Sequence, residues 1–285
     1  MAIDSDYFRG KNVVVTGAAS GVGLALIEEL LGFGAAKAVL ADFNRDNLER
    51  HTARLEQSYP GQVKGVLCDV TSESQVTDLI EQAAEFSSGR IDLLINNAGA
   101  GFGGCFVEPS TETEIAKIMP VVSTEDWRMA FDLNFYGAMY GCRAVIPIMQ
   151  AQGGGQIINV ISGIAFVPMA YQSRYAATKA ALNGLTLSLR YEFWDDQIKV
   201  SSATPGTTAT AIWGDLEIPE TAQTAQQSAQ RILAGAVKND RVIFGDDADV
   251  SGANQCFSTD PEIMIGLDEY LLNVARQRRT GKIAV

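Results

Sequence analysis

Short apolar runs rich in β-branched residues alternate with longer helical patterns along most of this chain, beginning with Asn12–Thr16 (NVVVT). A run of this kind between polar residues is typical of a strand that is buried on both faces. Strands that alternate with helices predict crossover connections and therefore a parallel sheet. Five further strands, and an additional short one near the C-terminus, are predicted at Ala38–Ala41, Val63–Leu67, Ile91–Ile95, Gln156–Ile161, Lys199–Ala203 and Arg241–Phe244. The sequence therefore predicts an α/β fold, a doubly wound parallel sheet with helices on both faces and a ligand crevice at the carboxyl ends of the strands.

Helical patterns fill most of the chain between these strands. Thr71 or Ser72 is the expected cap of the third helix, and Thr124 is the expected cap of the fourth. Ala100–Ser123 is rich in glycine and shows neither pattern, so we interpret it as a candidate loop insertion, either beside the substrate entrance or without a role. The predicted helices are Gly21–Phe33, Arg45–Ser58, Glu73–Phe86, Thr124–Gln150, Ser173–Trp194, Thr221–Val237 and Pro261–Arg279.

Composition excludes several classes of protein. The chain has 285 residues, 47% of them apolar, which is enough for one domain spanning residues 1–285. No apolar stretch approaches the ~18 residues that cross a bilayer, and the polar first dozen residues do not resemble a secretory signal, so we expect a cytoplasmic protein. The net charge of −12 disfavours nucleic acid and anionic membranes as partners. The basic tail is interpreted as a solvated helix end: Arg276, Arg278, Arg279 and Lys282.

The sequence shows no pattern typical of a metal site, a disulfide framework or a nucleophilic triad. The four cysteines form no CxxC pair, which argues against a zinc site or a disulfide framework, and no cluster of metal ligands is present. His51 is the single histidine, and it lies in a predicted helix among charged residues. We therefore interpret His51 as a surface residue rather than as the base of a nucleophilic triad.

A glycine-rich turn follows the first predicted strand and opens the first helix. Glycines there let the backbone approach a pyrophosphate, and the N-terminus of the helix supplies free N–H groups and positive dipole. Asp42, followed by Phe43, ends the second strand, where a carboxylate can bind the adenosine ribose and repel a 2′-phosphate. NAD is therefore favoured over NADP, although Arg45 leaves NADP open. The residues assigned to the turn are Gly17, Ser20, Gly21, Val22 and Gly23.

Tyr175 and Lys179 are the candidate acid–base pair. They lie four residues apart on a predicted helix and so project from one face. A phenol with a pKa of about 10 is a poor base. An ammonium group one turn away stabilises the phenolate, so we expect the pKa of Tyr175 to be lowered toward the working range.

Taken together, these motifs resemble the short-chain dehydrogenase/reductase family, in its single-domain branch with TGxxxGxG and YxxxK motifs. The resemblance implies a Rossmann-type three-layer fold in which Tyr175 exchanges a proton while hydride passes between nicotinamide and the substrate carbon. Lys179 would also hold the nicotinamide ribose, Ser162 would bind the substrate oxygen, and Asn134 would help to hold a water in a proton relay. The resemblance covers about residues 10 to 210 and is carried by Thr16–Gly23, Asn96–Gly99, Ser162, Tyr175, Lys179 and Pro205–Gly206.

The same resemblance assigns further residues to the cofactor. Asp69 and Val70 would contact the adenine, Asn97 would stabilise the sheet beside the cofactor, and the backbone of Ala98 and Gly99 would lie along the ribose. The stretch that resembles the contact with the nicotinamide carboxamide comprises Pro205, Gly206, Thr208 and Thr210. The threonine hydroxyls are equally well explained as helix caps.

The substrate is expected to be a hydrophobic secondary alcohol or ketone, such as a steroid, terpenoid or aromatic ketone, because the expected wall of the site is mainly apolar and contains no basic residue to hold a carboxylate or phosphate. The apolar wall of that site is expected from Ile164, Ala165, Phe166, Val167, Met169 and Trp213. A dinucleotide sensor without turnover and a sugar-nucleotide epimerase or dehydratase are the alternatives. The resemblance implies a homodimer or homotetramer built from the apolar helices Thr124–Gln150 and Ser173–Trp194. The C-terminal segment 246–285 is atypical, because Asp246-Asp247-Ala248-Asp249 departs from the family's usual ending.

Overall fold

The computed structural model describes residues 3–109, 113–210 and 218–282. Seven parallel strands form one sheet in the order β3-β2-β1-β4-β5-β6-β7. The strands are β1 (Asn12–Thr16), β2 (Lys37–Asp42), β3 (Val63–Leu67), β4 (Leu93–Asn96), β5 (Gly155–Val160), β6 (Ile198–Ala203) and β7 (Val242–Ile243). The predicted α/β fold with a doubly wound parallel sheet is confirmed.

Ten α-helices lie in the described part of the chain. They are α1 (Gly21–Gly32), α2 (Arg45–Ser58), α3 (Glu73–Phe86), α4 (Glu114–Ile118), α5 (Thr124–Phe131), α6 (Gly137–Ala151), α7 (Ser173–Glu192), α8 (Ala225–Lys238), α9 (Asp247–Cys256) and α10 (Pro261–Arg279). Short 3-10 helices occupy Ser5–Phe8 and Gly163–Ala165, and a π-helical turn spans Asp132–Tyr136.

Alternate residues of β1 face two separate hydrophobic clusters. Val13 and Val15 pack with α1, α2 and α8 on one face of the sheet. Val14 packs with α3, α6 and the end of α7 on the other face. A strand that is buried on both faces explains why the NVVVT run carries no polar alternation. Because β1 and β4 are neighbours while their crossovers run to opposite sides, a crevice opens at their carboxyl ends.

The predicted helix Thr124–Gln150 and its predicted cap need correction. The predicted helix Thr124–Gln150 is interrupted by the π-helical turn, where one extra residue per turn is accommodated between α5 and α6. Its cap is Ser123 rather than Thr124: the Ser123 hydroxyl accepts from the Asp126 N–H, and the Asp126 side chain accepts from the Ser123 N–H. Ser72 is the cap of α3.

The segment predicted to be irregular, Ala100–Ser123, contains a short helix and folds back on itself. Cys105 and Val121 form a parallel bridge, and α4 lies between them in the chain. Helix α9 was not predicted, and the helix predicted from Thr221 begins at Ala225, where Thr224 and Gln227 form a capping box. In α9 the apolar residues are too few and too scattered for a periodic signal.

Candidate active site

The glycine-rich turn is held against the end of β4 by a polar network. The Thr16 hydroxyl accepts hydrogen bonds of 3.1 Å from the backbone N–H groups of Asn97 and Ala98. The Asn97 side-chain amide donates to the carbonyl oxygens of Thr16, at 3.0 Å, and Gly17, at 3.1 Å. Asn97 therefore joins the ends of β1 and β4 at the crevice, beside the turn.

Two glycines of this turn have no tolerance for a side chain. Gly17 has φ +62°, and a Cβ there would lie 2.9 Å from Ala98 Cα. A Cβ on Gly23 would lie 2.1 Å from the Gly17 carbonyl oxygen. The turn is thus drawn tightly onto the N-terminus of α1, with Val22 packed on the core below.

The N-terminus of α1 is open to a ligand. Ser20 is the N-cap and is exposed, and its side chain makes no capping hydrogen bond. N–H groups of the first helical turn that lack such a cap, at the positive end of the helix dipole, favour a phosphate. The residues present therefore fit a dinucleotide pyrophosphate.

Asp42 is buried and already supports the turn. Its Oδ2 accepts from the Ala19 N–H at 3.0 Å, and its Oδ1 accepts from the Asn44 N–H at 2.9 Å. Each carboxylate oxygen can accept a second hydrogen bond, so a ribose hydroxyl can still be accommodated. Phe43, the next residue, exposes 78% of its surface. This pair therefore offers a carboxylate and an aromatic face at the end of β2.

The other residues assigned to the adenine end have local roles as well. Asp69 is exposed, and its Oδ1 accepts from the Thr71 N–H at 3.0 Å and the Thr71 hydroxyl at 2.8 Å. Val70 is buried and lies so close to Gly137 that a Cβ on Gly137 would meet the Val70 side chain at 2.9 Å. Asp69 therefore shapes the β3–α3 turn and keeps its second oxygen for another donor.

The Pro205–Thr210 stretch returns to the glycine-rich turn. The Thr210 side chain lies 3.3 Å from where a Cβ on Gly21 would be. The Thr208 hydroxyl donates to the carbonyl oxygens of Pro205, at 2.9 Å, and Gly206, at 3.2 Å, so it also stabilises its own turn. This stretch therefore lies near the start of α1, at the same end of the sheet.

Lys179, Asn134 and Gly99 meet beneath the crevice. The Lys179 ammonium is buried and donates to the Val160 carbonyl oxygen at 2.9 Å. A Cβ on Gly99 would lie 2.9 Å from Asn134 Oδ1 and 3.2 Å from Lys179 Nζ. Burial lowers the pKa of Lys179 to about 8. The structure thus brings together two of the four predicted catalytic residues at the end of β4.

The side-chain amide of Asn134 is hydrogen-bonded at both its oxygen and its nitrogen. Its Oδ1 accepts from the Ala100 N–H at 3.0 Å, and its Nδ2 donates to the Ala100 carbonyl oxygen at 3.0 Å and to the Thr178 hydroxyl at 3.2 Å. The π-helical turn carries Asn134 and aligns it with this backbone. The Asn134 side chain therefore ties the start of the insertion to α7.

Tyr175 and Ser162 form the other half of the predicted group. Ser162 caps the 3-10 helix Gly163–Ala165, where its hydroxyl accepts from the Ile164 N–H at 3.4 Å. The pKa of the Tyr175 phenol is raised, first by burial, while a hydrogen bond with Ser162 lowers it and the negative charge of Asp249 raises it further. The expected lowering of the Tyr175 pKa is wrong for the protein alone: this pKa is raised, burial is the largest cause, and the Lys179 ammonium is bonded to the Val160 carbonyl oxygen instead.

Asp249, in α9, is the site residue that the sequence reading missed. A Cβ on Gly163 would lie 1.9 Å from Asp249 Oδ1, so the carboxylate rests against the residue after Ser162. Burial raises the pKa of Asp249 to about 6, the Thr204 side chain opposes this, and Asp246 adds to it. The sequence signal that could have indicated this helix start is a DxxD motif, in which Asp246 caps α9 and Asp249 follows three residues later.

The insertion and α10 both pack on the segment that leads into α7. The Gly104 N–H donates to the Tyr171 carbonyl oxygen at 2.8 Å. The Arg174 guanidinium donates to the Gly103 carbonyl oxygen at 2.9 Å and lies 5.0 Å from the centre of the Phe102 ring. These contacts join the described part of the insertion to the start of α7, the helix that carries Tyr175.

One residue of the basic tail is not solvated. Arg278 is buried, and its Nη1 donates to the Ala170 carbonyl oxygen at 2.9 Å and to Gln172 Oε1 at 2.8 Å. The interpretation of Arg278 as part of a solvated helix end is therefore wrong, because α10 folds back onto the entry to α7. Arg276 and Arg279 are exposed, as expected.

Two residues of the predicted apolar wall, Ile164 and Phe166, are packed into the protein. Phe166 is buried, with its ring 5.8 Å from that of Phe244 and 6.2 Å from that of Phe257. Ile164 is buried too, whereas Ala165, Val167 and Met169 are partly exposed. Trp213 lies outside the described residues.

Other chemistry finds no support in the described ranges. No group of three or more potential metal ligands occurs there, and the four cysteines are free. His51 lies in α2 beside Arg50 and far along the chain from Tyr175. Among the described helices, none combines the length and the hydropathy that a membrane span requires.

Comparison with known proteins places this geometry in a family. A family model for short chain dehydrogenases matches residues 11–221. An uncharacterized oxidoreductase of Staphylococcus saprophyticus is 32% identical over 209 residues, covering 73% of this chain and 83% of that protein. A short-chain dehydrogenase/reductase from Burkholderia phymatum, crystallised with NAD, has a TM-score of 0.75 and 27% identity, covering 87% of this chain and 93% of that chain. A short chain dehydrogenase from Mycobacterium smegmatis has a TM-score of 0.70 and 27% identity, covering 84% and 93%. The chain therefore belongs to the short-chain dehydrogenase/reductase family of oxidoreductases.

Proposed function

We propose that this protein uses a nicotinamide dinucleotide, NAD in preference to NADP, to interconvert a secondary alcohol and a ketone. The observation that carries the proposal is the meeting of Ser162, Tyr175 and Lys179 at the carboxyl end of the sheet, beside the glycine-rich turn. Asn134 ties the same place to the insertion.

The cofactor would be held by the turn and the strand ends around it. The open N-terminus of α1 suits the pyrophosphate, and the Asp42 carboxylate suits an adenosine ribose without a 2′-phosphate. The buried Lys179 ammonium would donate to a ribose hydroxyl, and Gly99, which lacks a side chain, leaves room beside it. When bound, the nicotinamide ring would accept or supply the hydride.

The protein's own part in the reaction is to move a proton. The Tyr175 O–H donates its proton to the substrate oxygen during carbonyl reduction, and the phenolate accepts it back during alcohol oxidation. The Ser162 hydroxyl, which is hydrogen-bonded with Tyr175, would orient the same oxygen. The Lys179 ammonium favours the phenolate electrostatically as it forms.

The substrate is proposed to be hydrophobic. The stretch after Ser162, from Ile164 to Val167, is apolar, although much of it supports the site from beneath rather than lining it. Ala165, Val167 and Met169 retain partial exposure for contact with a substrate. A ketone of steroid, terpenoid or aromatic type would bury apolar surface there.

Assembly into a homodimer or homotetramer in the cytoplasm is part of the proposal. Large apolar side chains are exposed along the helices that the family resemblance assigns to subunit contacts, including Met129, Tyr136, Tyr191 and Trp194. Exposed apolar residues grouped in this way are typical of an interface. Light scattering that showed a monomer would contradict it.

The test is turnover of a panel of hydrophobic ketones, measured with NADH and with NADPH as the loss of absorbance of the reduced nicotinamide. Tyr175→Phe should lower kcat by about 10²–10⁴-fold, the usual contribution of a positioned proton donor. Tyr191→Phe is the matched control, because it removes a hydroxyl from an exposed tyrosine of the same helix. Turnover that persisted in Tyr175→Phe would refute the proposed role. Dinucleotide binding without turnover of any substrate would favour the sensor instead.

A further inference from the structure

A carboxylate lies against Gly163, the residue that follows Ser162. Asp249 is the third residue of α9, and its Oδ1 occupies the space beside Gly163 that a side chain there would fill. Ser162, which precedes Gly163, is hydrogen-bonded with Tyr175. Only the absence of a side chain at Gly163 lets the carboxylate come this close to the Ser162–Tyr175 pair.

The position of the carboxylate is set by the cap of α9. Asp246 Oδ1 accepts from the Asp249 N–H at 2.8 Å, and Asp246 Oδ2 accepts from the Thr207 N–H at 2.8 Å. The start of α9 is thereby fastened to the Pro205–Thr210 stretch. Gly252, one turn further along α9, packs on Val167. Two sides of the site thus hold Asp249 in place.

The second oxygen of this carboxylate has no hydrogen bond of ordinary geometry within the described residues. Asp249 Oδ2 is buried, while the Thr204 side chain and the Gly206 backbone N–H act on the carboxylate and lower its pKa in part. A buried carboxylate with one oxygen unsatisfied is costly, and no cation within the described part of the chain compensates its charge. A charge retained at such cost beside a reactive group is typical of a functional site.

Within the described residues, few charged groups act on Tyr175 and Asp249. Tyr175 interacts with the charge of Asp249, and Asp249 in turn interacts with Asp246. The 3-10 helix Gly163–Ala165 between them carries no ionisable side chain. From α5, Asp126 faces Arg174 at 3.6 Å, so their opposite charges offset each other. From α10, Arg278 is bound to Ala170 and Gln172, and on α7 itself Lys179 is bound to Val160.

We propose that the ionised carboxylate of Asp249 acts through Tyr175, holding the phenol protonated as the proton donor for carbonyl reduction. In that step the Tyr175 O–H bond breaks as the substrate O–H bond forms, while the substrate carbon receives the hydride, and the phenolate then regains a proton from solvent. The negative charge of Asp249 disfavours ionisation of the Tyr175 phenol, because a phenolate would place a second negative charge close to it. Asp249 is thus a positioning residue: it extends carbonyl reduction to higher pH and shifts the onset of alcohol oxidation to higher pH. The inference rests on the proposed function for its kinetic consequence.

The direct test needs no cofactor and no substrate. The phenolate absorbance of the protein is titrated against pH, and the Tyr175 contribution is isolated as the difference from Tyr175→Phe. The same difference is measured in the Asp249→Asn background, which completes a double-mutant cycle. Tyr175 should ionise at lower pH when residue 249 is Asn. An unchanged or higher midpoint would overturn the inference.

The control and the second variant separate charge from structure. Asp247→Asn removes an equal charge from the same turn, but the Asp247 side chain is fully exposed to solvent, so it should leave the Tyr175 midpoint where it is. Asp249→Ser provides the same test if the Asn variant does not fold. A shift of equal size in Asp247→Asn would mean that general surface charge, rather than Asp249, controls the phenol.

The kinetic test follows the pH profile rather than the rate at one pH. In Asp249→Asn, carbonyl reduction should decline at lower pH than in the wild type, and alcohol oxidation should begin at lower pH. A fall in kcat without a shift in the pH dependence of either reduction or oxidation would indicate a merely structural role and overturn the inference. If no substrate is turned over at all, the proposed function fails, whereas the phenolate titration still decides the role of Asp249.

Discussion

Replacing Asp249 by asparagine should stabilise the folded protein in a way that depends on pH. The pKa of Asp249 is raised from 3.8 to about 6 by burial. Because the folded state then binds the proton more tightly than the unfolded state, this carboxyl contributes fully to stability below pH ~4 and loses that contribution as pH rises through about 6. Above pH ~7 the ionised group costs its whole desolvation penalty, which asparagine avoids.

The magnitude follows from the size of this shift. A difference of about 2 pKa units at ~1.4 kcal/mol each corresponds to about 3 kcal/mol. Because Asp249 is partly exposed, about 3 kcal/mol is an upper bound. The unfolding free energy of Asp249→Asn minus that of the wild type should therefore increase by up to ~3 kcal/mol between pH 4 and pH 8.

Urea unfolding of both proteins across this pH range measures the difference directly. Other carboxyl groups titrate in both proteins, and their contributions cancel in the subtraction. Asp247→Asn is the matched control and should give a difference that stays nearly flat, because the Asp247 side chain is fully exposed. A difference that is independent of pH, or that declines as pH rises, would show that the Asp249 carboxylate is well compensated and would refute the reasoning.

Three further substitutions test other parts of the site. Gly23→Ala should abolish dinucleotide binding measured by calorimetry, because its Cβ would lie 2.1 Å from a carbonyl oxygen, whereas Gly32→Ala, with nothing within 4 Å, should bind normally. Asp42→Ala should lower the ratio of kcat/KM with NADH to that with NADPH by roughly tenfold, as loss of a charge-assisted hydrogen bond predicts; an unchanged ratio would contradict a ribose contact. Arg278→Ala should raise KM with less effect on kcat, because it releases two contacts at the entry to α7, and Arg279→Ala, at an exposed position, should not.

The fold could be predicted because its signal is local. Each strand of the sheet is a short apolar run, and β1 needs no partner to be recognised, since Val13, Val14 and Val15 are buried on alternating faces whatever their neighbours are. The glycine-rich turn was predictable for a similar reason. The tight backbone geometry of Gly17–Gly23 requires glycines, and those glycines are visible in the sequence.

The electrostatics of the site could not be predicted in the same way. Spacing placed Tyr175 and Lys179 on one face of a helix, and the structure agrees, but the sign of the shift in the Tyr175 pKa depends on burial and on Asp249. Residues 175 and 249 are 74 positions apart in the sequence, and α9 brings Asp249 close enough to act on Tyr175 electrostatically. No periodicity or spacing rule reports a contact of that kind.

The parts of the chain that sequence patterns described least well all surround the entry to α7. The insertion bonds to Tyr171 and Arg174, Arg278 bonds to Ala170, and α9 places Asp249 behind Ser162. The residues that hold the cofactor end of the site lie instead on regular elements, where local signals are strong. Because fold-level constraints apply at the cofactor end and weaken toward the substrate, irregular segments are free to differ there, and we expect them to influence both the choice of substrate and the titration of Tyr175. Substrate choice in this protein should therefore respond to changes in these segments, while cofactor choice should respond to Asp42.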